Sequence, residues 1–262
     1  RQGCAGISAG GCAVRELSLF TGAGGGLLGT KLLGWEHIGY VEWNEYCQQV
    51  IAARIRDGYL PISPIFTDVR EFVQSGAAEQ YRGIADVVSA GFPCQPFSVA
   101  GKQAGADDER NMWPATRDVI RDVRPAHVLL ENVLKLLDSD YFGVVLADLA
   151  GLGYSVKWGV LGADGENLPH HRARLWMVAH SASVNGNAWG LLGKSLRKSQ
   201  RKFRGLPGTE IRSDWRGANQ GSVSVPIFRD PADGVAAVVG ELAALGNGQV
   251  PAVVRRAWEM LA

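Results

Sequence analysis

The chain has 262 residues, 46% of them hydrophobic, with 27 Lys and Arg against 26 Asp and Glu and a formal net charge of +1. So much apolar content at so little net charge excludes a disordered chain, and the length suits one large domain, or one domain with a small lobe. No apolar run approaches the ~20 residues that a membrane helix needs, and the cysteines (Cys4, Cys12, Cys47, Cys94) are too few and too scattered for a disulfide scaffold. They form no CxxC pair that would point to zinc, and a reducing, intracellular setting fits them best. The 34 glycines are about twice the usual ~7% share, which points to tight turns and close approach of backbone to a ligand. Residues 1–14 are rich in Gly and Ala and lack an apolar core of signal-peptide length; they are expected to lie outside the folded core.

In chain order the pattern is β/α. Residues 15–20 form a short apolar strand ending in Thr21-Gly22-Ala23-Gly24-Gly25-Gly26, and Leu27, Leu28, Leu32 and Leu33 follow at helical spacing. Residues 37–42 read as a second strand, after which Asn44 caps a helix to about Arg56. A short strand at 64–67 ends at Asp68, and a fourth at 85–90 leads into Gly91-Phe92-Pro93-Cys94-Gln95-Pro96. A helix over 111–122 precedes a strand at 126–130, which ends at Glu131-Asn132. A helix at 141–149 precedes strands at 154–161 and 175–179. Strands alternating with helices predict an α/β fold, a doubly wound and mostly parallel sheet covered on both faces. From 181 to 228 the texture changes to Ser, Asn, Gly, Lys and Arg, and a final helix over 250–261 returns to the first lobe. The expected division is 15–180, 181–228 and 229–262.

The near-neutral total hides a cationic segment. Residues 181–228 hold eight of the 27 basic residues and only two of the 26 acidic ones, Glu210 and Asp214, which leaves 19 basic and 24 acidic for the rest. Arg197, Lys198, Arg201, Lys202, Arg204 and Arg212 lie here, interleaved with Trp189, Phe203 and Trp215, as in a surface that grips phosphates and stacks on bases. Ordinary solvated lysines and arginines are the plain alternative.

In open α/β sheets ligands gather where loops leave the carboxyl ends of the strands. The first such loop begins at Phe20; its glycines let a ligand lie against bare backbone, and the helix start offers N–H groups. Glu42 ends the next strand, where a carboxylate can accept hydrogen bonds from ribose hydroxyls. The pair suits a nucleotide-like cofactor without separating NAD from S-adenosylmethionine. Cys94, held between prolines at a strand end, reads as an exposed nucleophile, whereas Cys47 lies at an apolar helix position and reads as core. Glu131, after an apolar run, is expected to have a raised pKa and to act as a proton donor or hydrogen-bond partner, or simply to be capped or salt-bridged. Arg172 and Arg174 alternate at a strand start and so share a face. His170 and His171 lack a third ligand at metal-like spacing, and no metal is expected.

These sites, in this order, resemble the cytosine-C5 DNA methyltransferase family of bacteria and phages. Phe20-Thr21-Gly22-Ala23-Gly24-Gly25 resembles its FxGxGG motif, Glu42-Trp43 its second motif and Thr67-Asp68-Val69 its third. Pro93-Cys94-Gln95 resembles the catalytic PCQ motif, and Asp108-Glu109-Arg110 with Met112-Trp113 the fifth. Glu131-Asn132-Val133 resembles ENV, and His170-His171-Arg172-Ala173-Arg174 resembles QxRxR with His in place of Gln. Residues 245–251 resemble the closing GN-V-P motif. The resemblance covers residues 15–261 except the basic insert, which stands where the family keeps its target-recognition region. Residues 230–245 are rich in Ala and Val where a supporting Arg-bearing motif is expected.

The resemblance implies a Rossmann-like, S-adenosylmethionine-dependent methyltransferase. Cys94 would attack cytosine C6, Glu131 would serve ring N3, and Arg174 with Arg172 would hold O2 and the nearby backbone. Asn132, Gln95 and Ser98 would shape the pocket. Phe20 would stack on the adenine, Glu42 bind the ribose and Asp68 the adenine amino group. Gly22, Gly24 and Asn247 would line the amino-acid end, with Gly25, Trp43, Val69 and Pro93 completing the cofactor site. The implied substrate is double-stranded DNA with a flipped-out cytosine, and the implied setting is a cytoplasmic monomer, with no membrane, that can accompany a restriction endonuclease. Methylation of tRNA, a DNA-binding protein that has lost catalysis, and an NAD-linked oxidoreductase are the rival readings.

Overall fold

A computed structural model of the chain describes residues 13–93, 111–166, 172–182 and 248–262. All belong to one of two units into which the chain divides, Arg1–Val184 with Ala243–Ala262; the other, Asn185–Leu242, lies outside the described residues. The elements are β1 (Arg15–Leu19), α1 (Gly25–Leu32), β2 (Glu36–Val41), α2 (Glu45–Arg56), β3 (Ile65–Phe66), α3 (Val69–Gln74), β4 (Val87–Ala90), α4 (Trp113–Val123), β5 (His127–Asn132), α5 (Asp140–Gly151), β6 (Tyr154–Leu161), β7 (Arg174–Ser181) and α6 (Pro251–Leu261).

Local chemistry sets these boundaries. Asn44 accepts a hydrogen bond from Cys47 N at 3.0 Å and starts α2. Pro114 and Pro251 sit in the first turns of α4 and α6, where a missing N–H costs nothing. Helix α3 was not expected. Asp68 caps it, accepting from Arg70 N at 2.7 Å, and Glu71 lies in its first turn.

The sheet has seven strands in the order β3-β2-β1-β4-β5-β7-β6. The first five are mutually parallel, whereas β7 runs antiparallel to both β5 and β6. The order reverses direction between β1 and β4, so the switch point of the sheet lies between the Phe20 loop and the Gly91 loop. The larger core packs Val69 and Phe72 of α3, Val119, Ile120 and Val123 of α4, and Val145 and Leu149 of α5 on the sheet. A second cluster joins Leu27 of α1, Tyr40 of β2 and Ile51 of α2 with Leu60. Helix α6 lies beside α1, β6 and β7, and its buried Trp258 meets Trp35 edge-on at 4.7 Å and His127 at 5.6 Å.

Two buried polar groups sit inside this packing. His37 Nε2 lies 3.0 Å from Thr30 Oγ1 and 3.3 Å from Glu16 Oε2, and Ser89 donates to Glu16. At the end of β5 remote from the switch point, His127 and His180 face each other with their Nδ1 atoms 3.2 Å apart. Burial, aided by His180, pushes His127 down to about 4.

The approach of α6 to α1 depends on Gly29. A Cβ at this position would lie 2.5 Å from Val254 Cβ and 2.7 Å from the Pro251 carbonyl oxygen. Gly29→Ala is therefore expected to lower the unfolding free energy by about 1–3 kcal/mol, measured by urea titration of tryptophan fluorescence. An unchanged midpoint would contradict this contact.

Candidate active site

The carboxyl ends of β1, β2, β4 and β5 and the amino end of β7 meet along one edge of the sheet, because β7 runs in reverse. At the end of β1, Phe20 adopts a left-handed conformation with φ 52° that non-glycine residues rarely take. Gly22 (φ 57°) and Gly24 (φ 91°) continue the turn at no such cost. Glu42 fixes it: its Oε2 accepts from Gly22 N at 2.6 Å and its Oε1 from Asn44 N at 2.7 Å. The carboxylate is 8% exposed and so ties the ends of β1 and β2 together. Trp43 beside it is 76% exposed. Asp68 stands at the α3 cap, while the Val69 side chain is buried in the core.

The glycines after Gly24 face the segment that leads into α6. A Cβ on Gly25 would strike the backbone of Gln249, and one on Gly26 would strike Gln249 Oε1. These two positions make room for the segment leading into α6. At Gly22, by contrast, an added Cβ would meet nothing within 4 Å, so open space lies over that backbone.

At the end of β4, Phe92 is buried against Trp113, ring centroids 5.2 Å apart. Asn132 at the end of β5 donates through Nδ2 to the Phe92 carbonyl at 3.0 Å and accepts from Val133 N at 2.8 Å. It thereby anchors the chain just before Pro93. Cys94, Gln95, Ser98, His170, His171, Asn247 and the basic residues Arg197, Lys198, Arg201, Lys202, Arg204 and Arg212 lie outside the described residues. Cys47 is buried, and burial, with Glu42 nearby, pushes its thiol up to about 11, so it is a core residue and no thiolate.

Glu131 is paired with Arg174, Oε1 to Nε 3.2 Å, with side chains 13% and 26% exposed. Burial raises its carboxyl above the ordinary range; Arg174, a hydrogen bond from Gln249 and Arg172 oppose this without cancelling it. Arg172 takes φ 31° just before β7 and donates to the Gly248 carbonyl at 2.8 Å. Burial and Arg174 lower the Arg172 pKa. Glu131, Arg172, Arg174, Trp176, Gln249 and Val250 line a small cavity at this edge. Gln249 and Trp176 were not singled out as site residues. Gln249 stands two residues after Asn247 in the closing motif, which was the available signal. For Trp176 the signal was its alternation with Arg174 along the strand.

This edge of a doubly wound, Rossmann-like sheet sets a carboxylate-anchored glycine turn beside a buried Glu–Arg pair. Residues 14–214 match the family model of the C-5 cytosine-specific DNA methylase, and the chain belongs to that family. Among curated relatives it is 34% identical over 174 residues to the Type II methyltransferase M.NgoBI of Neisseria gonorrhoeae, covering 65% of this chain and 51% of that protein. It is 33% identical over 168 residues to M.HaeII of Haemophilus aegyptius, covering 63% and 49%. The chain thus spans about half the length of the curated relatives it matches. Solved structures share the fold: a Spodoptera frugiperda DNMT2 variant superposes with a TM-score of 0.53 at 18% identity over 66% of this chain and 51% of that one. The Entamoeba histolytica methyltransferase EhMeth gives 0.52 at 17% identity over 64% and 53%. Among the described residues no helix is long and apolar enough to cross a membrane, and no cluster of metal-ligating side chains occurs.

A carboxyl group whose pKa is raised by folding favours the folded state at low pH. That contribution is lost as pH rises through the folded pKa. Glu131→Gln is therefore expected to gain stability relative to the parent protein between about pH 5 and about pH 8, read from urea midpoints at both ends. A gap that stays constant, or moves the other way, would contradict the raised carboxyl.

Proposed function

We propose that the chain is the catalytic portion of a DNA (cytosine-5-)-methyltransferase acting through a covalent Cys94 adduct. The observation that carries this is the Glu131–Arg174 pair, set at the same sheet edge as the Glu42-anchored glycine turn and the Pro93 segment that leads to Cys94. Ring carbon C5 of cytosine is a poor nucleophile. Attack of the Cys94 thiolate on C6 breaks the C5=C6 double bond and places electron density on C5, while Glu131 gives its proton to N3. Burial raises the carboxyl above its ordinary range and so favours the protonated form that this step uses. Arg174 and Arg172 hold O2 and the neighbouring backbone. Once C5 carries the methyl group, loss of its proton to a base expels the Cys94 thiolate, restores the double bond and returns the N3 proton to Glu131.

S-adenosylmethionine supplies the methyl group when bound. The residues present fit it. Gly22 leaves open backbone, Glu42 lies at the end of β2 with both oxygens already oriented, and Trp43 exposes an aromatic face beside them. In this reading Phe20 and Asp68 serve the adenine, and Gly24 and Asn247 the amino-acid end. Residues 181–228 would read the target sequence, with Arg197, Lys198, Arg201, Lys202, Arg204 and Arg212 on DNA phosphates. The base must leave the duplex, at a cost of a few kcal/mol. The matched family, described as a C-5 cytosine-specific DNA methylase, supports DNA over tRNA as substrate. A monomer in the bacterial cytoplasm, with a restriction endonuclease as possible companion, completes the proposal.

The test is tritium transfer from labelled S-adenosylmethionine to mixed genomic DNA, with a tRNA arm. Label is expected in DNA and is expected to fall by about 10³-fold or more in Cys94→Ser. Label in tRNA alone would move the function to RNA. No label despite cofactor binding would leave a protein that has lost catalysis.

A further inference from the structure

Gln249 has no part in the chemistry just described, yet it lies at the centre of the site. Its oxygen end sits at the first turn of α1, where a Cβ on Gly26 would collide with Oε1. Free N–H groups and the positive end of the helix dipole favour an oxygen there. That orientation turns the Nε2 end toward Glu131. A Cβ on Gly91 would lie 3.0 Å from Gln249 Nε2 and 3.1 Å from Glu131 Oε2, and Gln249 donates a hydrogen bond to the Glu131 carboxyl group beside that glycine. Glu131 Oε1 is meanwhile held by Arg174. The carboxyl group is thus held by two partners, a cation from β7 and an amide from the segment that enters α6.

We infer that Gln249 is a positioning residue for Glu131: its amide, oriented by the start of α1, fixes the carboxyl group opposite Arg174. The inference rests on the reading of Glu131 as the acid that serves the cytosine ring. It also gives Gly25 and Gly26 a purpose, since both clear space for this residue. The same side chain joins the glycine turn to the acid, so the cofactor end of the site and the substrate end share one support. Arg174 and Arg172 are the charged groups facing Glu131, and Trp176 lies across from it in register on β7.

The test reads the ionisation of Glu131 directly. In protein labelled with δ-13C glutamate, the Glu131 resonance is assigned by its loss in Glu131→Gln and followed against pH. Gln249→Met keeps the length of the side chain and removes the donor. It is expected to raise the Glu131 midpoint by about one pH unit, the value of one hydrogen bond to the ionised form. Gly91→Ala, whose methyl pushes between the two side chains, is expected to raise it by a smaller amount and carries the test should Gln249→Met not fold. A midpoint that stays put in a folded Gln249→Met, or in Gly91→Ala if the first variant is unfolded, would overturn the inference. The titration needs neither DNA nor methyl transfer. An inactive parent protein would therefore count against the proposed reaction and leave this result standing.

Discussion

The reversal of β7 is the constraint on which the site depends. A sheet that stayed parallel throughout would deliver the start of β7 to the far edge, away from the ends of β4 and β5. Running antiparallel beside β5, it brings Arg174 to 3.2 Å from Glu131 and places Arg172 close by. A glutamate buried alone would bear the full cost of desolvation. One held beside a guanidinium keeps a defined orientation, and its burial still lifts the carboxyl pKa. Orientation thus comes from the guanidinium, and the raised carboxyl from burial that outweighs it.

The opposite half of the edge is built on backbone. Glu42 spends both oxygens on amide N–H groups, Gly22 at 2.6 Å and Asn44 at 2.7 Å. Its orientation is therefore set before any ligand arrives, which reduces the ordering that binding must supply. The turn it anchors leads into α1, and α1 is packed on α6 so closely that Gly29 has no space for a methyl group. The closing segment of the chain, through Gln249 and the Gly248 carbonyl bonded by Arg172, is thereby tied to both ends of the site.

Much of this was legible from residue order. The alternation of apolar runs with helical spacing gave the strands and all the longer helices, and Asn44 capped α2 as its side chain predicts. Helix α3 was missed because six residues are too few to show a period; only Asp68 and Glu71 marked it. The direction of β7 was not legible, since an apolar strand reads the same either way and only its neighbours decide. Glu131 and Arg174 could be named as candidates, but their pairing depends on that direction. Gln249 escaped notice because its partners, Gly26, Gly91 and Glu131, are distant in the chain and meet only once α6 folds back on α1. Val69 stands in a motif that resembles a cofactor contact, and its side chain is part of the core.

The proposed reaction turns on addition of Cys94 to a cytosine ring served by Glu131. Duplex DNA carrying 5-fluorocytosine tests it, because fluorine at C5 cannot leave as a proton and the adduct is trapped. In the presence of S-adenosylmethionine, a complex that resists denaturing gel electrophoresis is expected with the parent protein and is expected to be absent with Cys94→Ser. A trapped complex that persists in Cys94→Ser, or none in a parent protein that binds both DNA and cofactor, would contradict it.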